Sequence, residues 1–163
     1  MTDQPPSRPS DGEAITAEGL AALKSELGEL ETTARREIAA RILAAREHGD
    51  LKENAEYHAA KEDQAHLETR ILRLTQRLRN AVVVEGNASS GVFEFGLSAE
   101  IRDEATGDVQ TWTIVGPTEA DRPNGKISAE SPVAQALLGH APGETVEVQT
   151  PRGVRRLKIE RLV

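Results

Sequence analysis

Asp50 and Glu53 are two carboxylates three residues apart in the run Arg46-Glu47-His48-Gly49-Asp50-Leu51-Lys52-Glu53-Asn54-Ala55-Glu56-Tyr57-His58. Carboxylates bind hard divalent cations and accept hydrogen bonds from water. Two of them make a poor Mg2+ site alone, because Mg2+ takes six oxygens and keeps several waters. The pair is better suited to completing a site owned by another protein. In two-metal phosphoryl chemistry an added carboxylate pair recruits the second ion or orients its water. The plainer reading is structural. Asp50-Leu51-Lys52-Glu53 fits a capping box, with Asp50 at N-cap and Glu53 at N3, and acids favour the positive end of a helix. Both readings can hold together, since a capped turn would preorganise the carboxylates.

The neighbouring residues divide the same way. Tyr57 is read as a packed residue closing the tip, with a base-stacking ring as the alternative. Asn54 and Glu56 are its exposed neighbours, and Gly49 supplies the left-handed position at the end of the first helix. Leu51 is an apolar side chain at an exposed tip, which suits contact better than solvation. His48 and His58 have no third ligand at metal spacing. Arg41, Arg46, Lys52 and Lys61 lie near the tip. Arg70, Arg73, Arg77 and Arg79 lie further along the second helix. A solvated, salt-bridged face explains such charges, and a short phosphate-tracking stripe is the sharper alternative.

The elements that must carry this tip are two long amphipathic helices. Leu20, Leu23, Leu27, Leu30 and Ala34 follow a 3-4 spacing after Thr16, a good N-cap. Ile38, Ile42 and Ala45 continue the stripe after one extra step of four, which resembles a stutter. The second helix carries Tyr57, Ala60, Gln64, Leu67, Ile71, Leu74, Leu78 and Ala81 in unbroken 3-4 alternation. Running that stripe backwards lands on Glu53 and Asp50, so the seam is expected to open to solvent there, with both carboxylates on one face. Helices joined by so short a loop fold back on each other. About 30 residues per arm at 1.5 Å per residue gives an antiparallel coiled-coil hairpin roughly 45 Å long.

After Val84 the period changes. Gly86, Asn87, Ser89, Ser90 and Gly91 read as a linker. Residues 97–103 and 109–115 read as strands joined by a turn at Ala105-Thr106-Gly107-Asp108. Ser131-Pro132 reads as the start of a short helix ending before Gly139. Residues 144–150 and 154–162 read as a second hairpin around Pro151-Arg152-Gly153. The chain is thus expected to be α+β: a tail at 1–13, a helical hairpin over 14–85 with its acidic tip at 49–57, and a small, mostly antiparallel domain over 86–163. The run 116–126, with Asp121, Pro123, Asn124 and Gly125, is the longest irregular loop expected in that domain. The tail holds Pro5, Pro6 and Pro9 and no apolar run, so it reads as disordered and not as a secretory signal.

Bulk numbers narrow the function classes. A net charge of −7 argues against bulk binding of DNA or RNA, whose nonspecific affinity comes from neutralising phosphates. Cysteine is absent, which removes disulfides, thiolate nucleophiles and thiolate-bound zinc. No segment approaches the roughly 20 apolar residues of a membrane helix, so a soluble cytoplasmic protein with no membrane partner is expected. Aromatics are only Trp112, Tyr57, Phe93 and Phe95, which argues against one large core.

The run from Glu47 to Glu62 resembles the signature of the bacterial Gre transcript-cleavage factors, specifically their GreA branch. Thr16-Ala17-Glu18-Gly19-Leu20 and Leu23-Lys24 are similar to that family's opening. Ile127-Ser128, Ser131-Pro132-Val133-Ala134 and Ala136-Leu137-Leu138-Gly139 are similar to its later part. The resemblance covers about residues 15–162 in order. It implies that the hairpin enters the secondary channel of bacterial RNA polymerase and reaches its active site when the enzyme has backtracked. Asp50 and Glu53 match the tip carboxylates that help bind a second Mg2+, shared with the polymerase and not held tightly by the factor alone, and that position the attacking water. The polymerase then cuts its own transcript, so the factor is not a nuclease by itself.

The same resemblance implies an FKBP-like second domain that docks on the channel rim, for which Asp121, Pro123, Ser131 and Pro132 are the candidates here. Arg41, Arg46, Lys52 and Lys61 are candidates for contact with the 3′ end of the backtracked RNA. No sequence-specific DNA binding is expected, and a monomer is. Arg36 departs from the family by standing where Pro is common, which bears on the bend of the first helix and leaves the tip intact. Inhibitory relatives share this fold, so the alternative is a Gre-like channel-binding regulator that modulates polymerase without stimulating cleavage. An enzyme in its own right, either a prolyl isomerase or a free metal hydrolase, and a purely structural coiled-coil adaptor are the remaining classes.

Overall fold

The structure is a computed structural model that describes residues 12–50 and 53–163. The tail expectation falls mainly on residues 1–11, and the expectations for Leu51 and Lys52 fall on the two remaining residues. All of these lie outside the described residues. The chain divides into two compact units, residues 20–81 and residues 12–19 with 82–163.

The elements begin with β1 (Glu13–Ile15) and α1 (Ala17–Glu29), followed by a π-helical turn (Leu30–Ala34) and α2 (Arg35–Arg46). Next come α3 (Ala55–Asn80) and β2 (Ala81–Val83). Thr16 caps α1, its hydroxyl oxygen accepting from the Gly19 N–H at 3.0 Å. The stripe read from the sequence is the seam of the hairpin. Leu23, Leu27, Ile42 and Ala45 are buried on one arm, and Ala60, Leu67, Ile71 and Leu74 on the other. The remaining stripe residues are half-buried. Among the described residues, three ion pairs cross the arms outside the seam. Arg35 grips Glu68 through two bonds of 2.9 Å, Arg41 meets Asp63 at 2.9 Å, and Arg70 meets Glu26. All six side chains are largely solvated, so each pair aligns the arms more than it stabilises them.

The stutter has a structural form. From Ala34 to Ile38 the heptad gains one residue, and the π turn just before it absorbs that residue. The Arg35 N–H reaches back to the Leu30 carbonyl five residues earlier, which widens one turn and keeps Ile38, Ile42 and Ala45 on the seam.

The second unit contains β3 (Ser98–Asp103), β4 (Val109–Val115) and β5 (Lys126–Ser128), then α4 (Pro132–Leu137), β6 (Thr145–Thr150) and β7 (Gly153–Leu162). The five strands form one sheet in the order β5-β4-β3-β7-β6. All neighbours are antiparallel except β4 and β5, which run parallel from Thr113↔Lys126 to Val115↔Ser128. Alternate residues of each strand face one side, where they meet Val133, Ala134 and Leu137 of α4. Phe93 and Ile114 are fully buried there, and Trp112 nearly so, which gives this small unit its own core. This is the α+β architecture expected of the second domain.

Several short elements among the described residues depart from the expectation. β1 and β2 pair as a separate two-stranded sheet, and β1 belongs with the second unit, not with the hairpin that was expected to begin at residue 14. β5 adds the parallel edge. The expected irregular loop at 116–126 contains a 3-10 turn (Arg122–Asn124) closed by a bridge between Asp121 and Lys126.

Candidate functional site

Helix α2 ends at Arg46, and Gly49 adopts a φ of +112°, a left-handed position that favours glycine. Asp50 and Glu53 follow, both exposed. The expected capping box is not present. The cap of α3 is Asn54, whose Oδ1 accepts from the Tyr57 N–H at 3.0 Å. Asp50 and Glu53 therefore lie in the connection, and helical spacing does not set the face they share. The reason is chemical. Asp50 and Asn54 are comparable caps by type, but only an amide can also donate, and Asn54 Nδ2 donates to the Ala45 carbonyl at 2.6 Å.

Tyr57 is half-buried, as the packing reading requires. The Arg46 guanidinium lies 5.9 Å from its ring centroid, and the His58 ring meets it edge-on at 5.6 Å. Arg46 thus rests on Tyr57 through a cation–π contact, a feature that charge counting did not find. Arg41 is committed to Asp63, and Lys61 donates to Gln64 Oε1 at 2.9 Å. Glu56 is exposed on the first turn of α3. Among the described residues, no group of three or more His, Cys, Asp or Glu is placed to hold a metal.

The second unit carries a cleft of about 770 Å³ on the face of the sheet that α4 leaves partly uncovered. Its apolar floor is Ile101, Trp112, Val148 and Leu157, and Trp112 is the aromatic residue in the lining. Ser131 and Pro132 lie on its wall beside Arg122, so two of the four rim candidates border it. Asp121 precedes Arg122 and Pro123 within the 3-10 turn, where Asp121 Oδ2 accepts from Asn124 Nδ2 at 2.6 Å. Ser131 caps α4, accepting from the Ala134 N–H at 3.2 Å, so its hydroxyl already has a structural task. Arg155 also lines the cleft, paired with Asp103 at 2.9 Å.

A two-helix hairpin with carboxylates in its connection, carried with a small sheet domain that owns an open cleft, defines a class of two-part factor. The chain belongs to the GreA/GreB family of transcription elongation factors. The family model described as transcription elongation factor, N-terminal, matches residues 13–83, and that described as transcription elongation factor, GreA/GreB, C-term, matches residues 88–162. The chain is 44% identical over 149 residues to the transcription elongation factor GreA of Listeria welshimeri serovar 6b, covering 91% of this chain and 93% of that protein. It is 47% identical over 150 residues to that of Hyphomonas neptunium, covering 91% and 96%. A solved structure of the transcription factor Gfh1 is 29% identical, covering 93% of this chain and 97% of that one. Its TM-score of 0.44 is too low to bear on how the elements are arranged.

Proposed function

We propose that this chain stimulates the intrinsic cleavage of backtracked transcripts by RNA polymerase, with Asp50 and Glu53 acting in the polymerase site. The observation that carries this reading is the exposure of both carboxylates in a short connection between two helices that are locked together along their seam and across their flanks. Asp50 and Glu53 would hold a second Mg2+ jointly with ligands of the polymerase. When bound, such an ion lowers the pKa of water and stabilises an in-line displacement at phosphorus. The chain's own contribution is to bring two negative acceptors, to orient the attacking water by accepting its hydrogen bonds, and to favour the ion by charge. The hairpin would reach the active site through the secondary channel, and the cleft-bearing unit would dock on the channel rim.

The test is a gel assay of labelled RNA in stalled elongation complexes with Mg2+, comparing wild type with Asp50→Ala/Glu53→Ala. Wild type should release short 3′ fragments, and the double variant should lose at least about a hundredfold in rate while still competing for polymerase. Fragments released equally well by the double variant would refute the role given to the acids. Slowed synthesis with no cleavage by either protein would make the chain a channel-binding regulator.

A further inference from the structure

We propose that Asn54 is the positioning residue of the tip, a clasp whose one amide group sets where Asp50 and Glu53 stand. This rests on the reading of those two acids given above. Asn54 Oδ1 accepts from the Tyr57 N–H at 3.0 Å, and Nδ2 donates to the Ala45 carbonyl at 2.6 Å. The reverse orientation of the amide would set oxygen against carbonyl and N–H against N–H, so both bonds fix the assignment. The two partners lie on different helices. Ala45 is in the last turn of α2, 3% exposed, and Tyr57 is in the first turn of α3. One side chain therefore closes a loop from residue 45 to residue 54, and Asp50 and Glu53 both fall inside it.

The residue type is dictated. Aspartate and serine cap a helix as well as asparagine does, but aspartate has no donor for Ala45, and the serine hydroxyl is too short to span both partners. The clasp sits in a part-buried setting, where a hydrogen bond competes less with water. The Arg46 guanidinium, 5.9 Å from the Tyr57 ring centroid, links the same two helix ends a second time. Opening the Ala45 bond frees the connection while leaving the helix cap in place. Displacements near 1 Å at a reacting centre cost up to about a hundredfold in rate.

Two variants isolate the clasp from the cap. Asn54→Ser and Asn54→Asp both keep an acceptor for the Tyr57 N–H and both lose the bond to Ala45, the first for want of reach and the second for want of a donor, but only the second adds negative charge. In stalled elongation complexes with saturating full-length factor, both should cut about tenfold more slowly or worse. Both should also need more Mg2+ for half-maximal rate, while helix content and competition for polymerase stay at wild-type levels. A gain of activity in Asn54→Asp alone would show that charge and not position governs the tip, and would overturn the proposal. A lower thermal midpoint with wild-type rate and Mg2+ dependence would leave Asn54 a structural role only, and would also overturn it. The Asp50→Ala/Glu53→Ala protein run alongside separates the two levels of the argument. If it still cuts, the reading of the acids fails and the clasp falls with it. If it does not cut and both Asn54 variants match wild type, only the clasp fails.

Discussion

The Asp103 carboxylate, 14% exposed, accepts from Arg155 at 3.2 and 2.9 Å and from the Ala105 N–H at 2.9 Å. The Arg155 guanidinium, followed by the backbone donor, holds its carboxyl below the usual carboxylate range. Arg161 does the same to Glu100 across β3 and β7, and Arg35 to Glu68 across the hairpin. A carboxyl whose pKa is depressed on folding binds fewer protons in the native state than in the unfolded one. Its contribution is therefore complete above the unfolded value of about 4 and is lost as pH falls through the folded value. Arg155→Ala should lower stability by about 1 kcal/mol at pH 7, since Asp103 is well covered while its partner is partly solvated. The gap between wild type and variant should close below about pH 4. Chemical denaturation across pH 3–8 checks this, and a gap that stays constant would assign the loss to packing. At this scale the sequence was legible by residue type and not by partner. It placed the helix cap at Asp50, four residues before the Asn54 that serves. Nothing in a linear pattern reveals that the cap must also donate to Ala45.

The element most exposed to test is the π turn at Leu30–Ala34. One residue more than the heptad allows is held there, so removing one should let α1 and α2 merge into a continuous α-helix with the same seam. Deleting Thr33, which is exposed, should leave the thermal midpoint of the protein unchanged or raised. Deleting exposed Glu62 from the unbroken stripe of α3 should instead rotate half of that seam by about 100° and lower the midpoint by roughly 10 °C or more. Equal damage from both deletions would mean that the π turn has a task other than keeping phase. The long elements were readable because each repeats its signal many times. Every stripe residue of α3 read from the sequence is buried or half-buried. β4 spans Val109–Val115, as its alternation predicted. The three-residue strands β1, β2 and β5 offer too few residues to show a period, and β5 follows Pro123, Asn124 and Gly125, which read as loop. Its parallel pairing is set by the chain path and not by local pattern.

The second unit is assembled from two stretches far apart in sequence, and the joint between them is specific. The Glu119 carboxylate accepts from the Thr16 N–H at 3.0 Å, from the Thr16 hydroxyl and from the Gly116 N–H at 3.0 Å. A Cβ on Gly19 would stand 1.9 Å from Glu119 Oε1, and one on Gly116 would stand 2.1 Å from the Ala14 carbonyl. Gly116 is therefore required by close approach to backbone, whereas a side chain at Gly19 would have to push the Glu119 carboxylate off its bonds to Thr16. Thr118 adds a bond to Glu13 at 2.5 Å, and Ile15 is 3% exposed. A fragment of residues 86–163, cut where the composition changes, would lose this whole joint. A chain of residues 12–163 in which 20–81 is replaced by about eight Gly and Ser residues would keep it, since the Val84 N–H already bonds the Ile15 carbonyl at 3.0 Å. Burying Ile15 alone is worth about 2 kcal/mol. The linked chain should therefore melt about 10 °C above the bare fragment. Glu119→Ala should lower the midpoint of the linked chain markedly and that of the fragment much less, because only the first retains Thr16. Matching midpoints for the two proteins would mean that residues 12–19 ride on the hairpin, and that the composition change near residue 86 is the true boundary of the second fold.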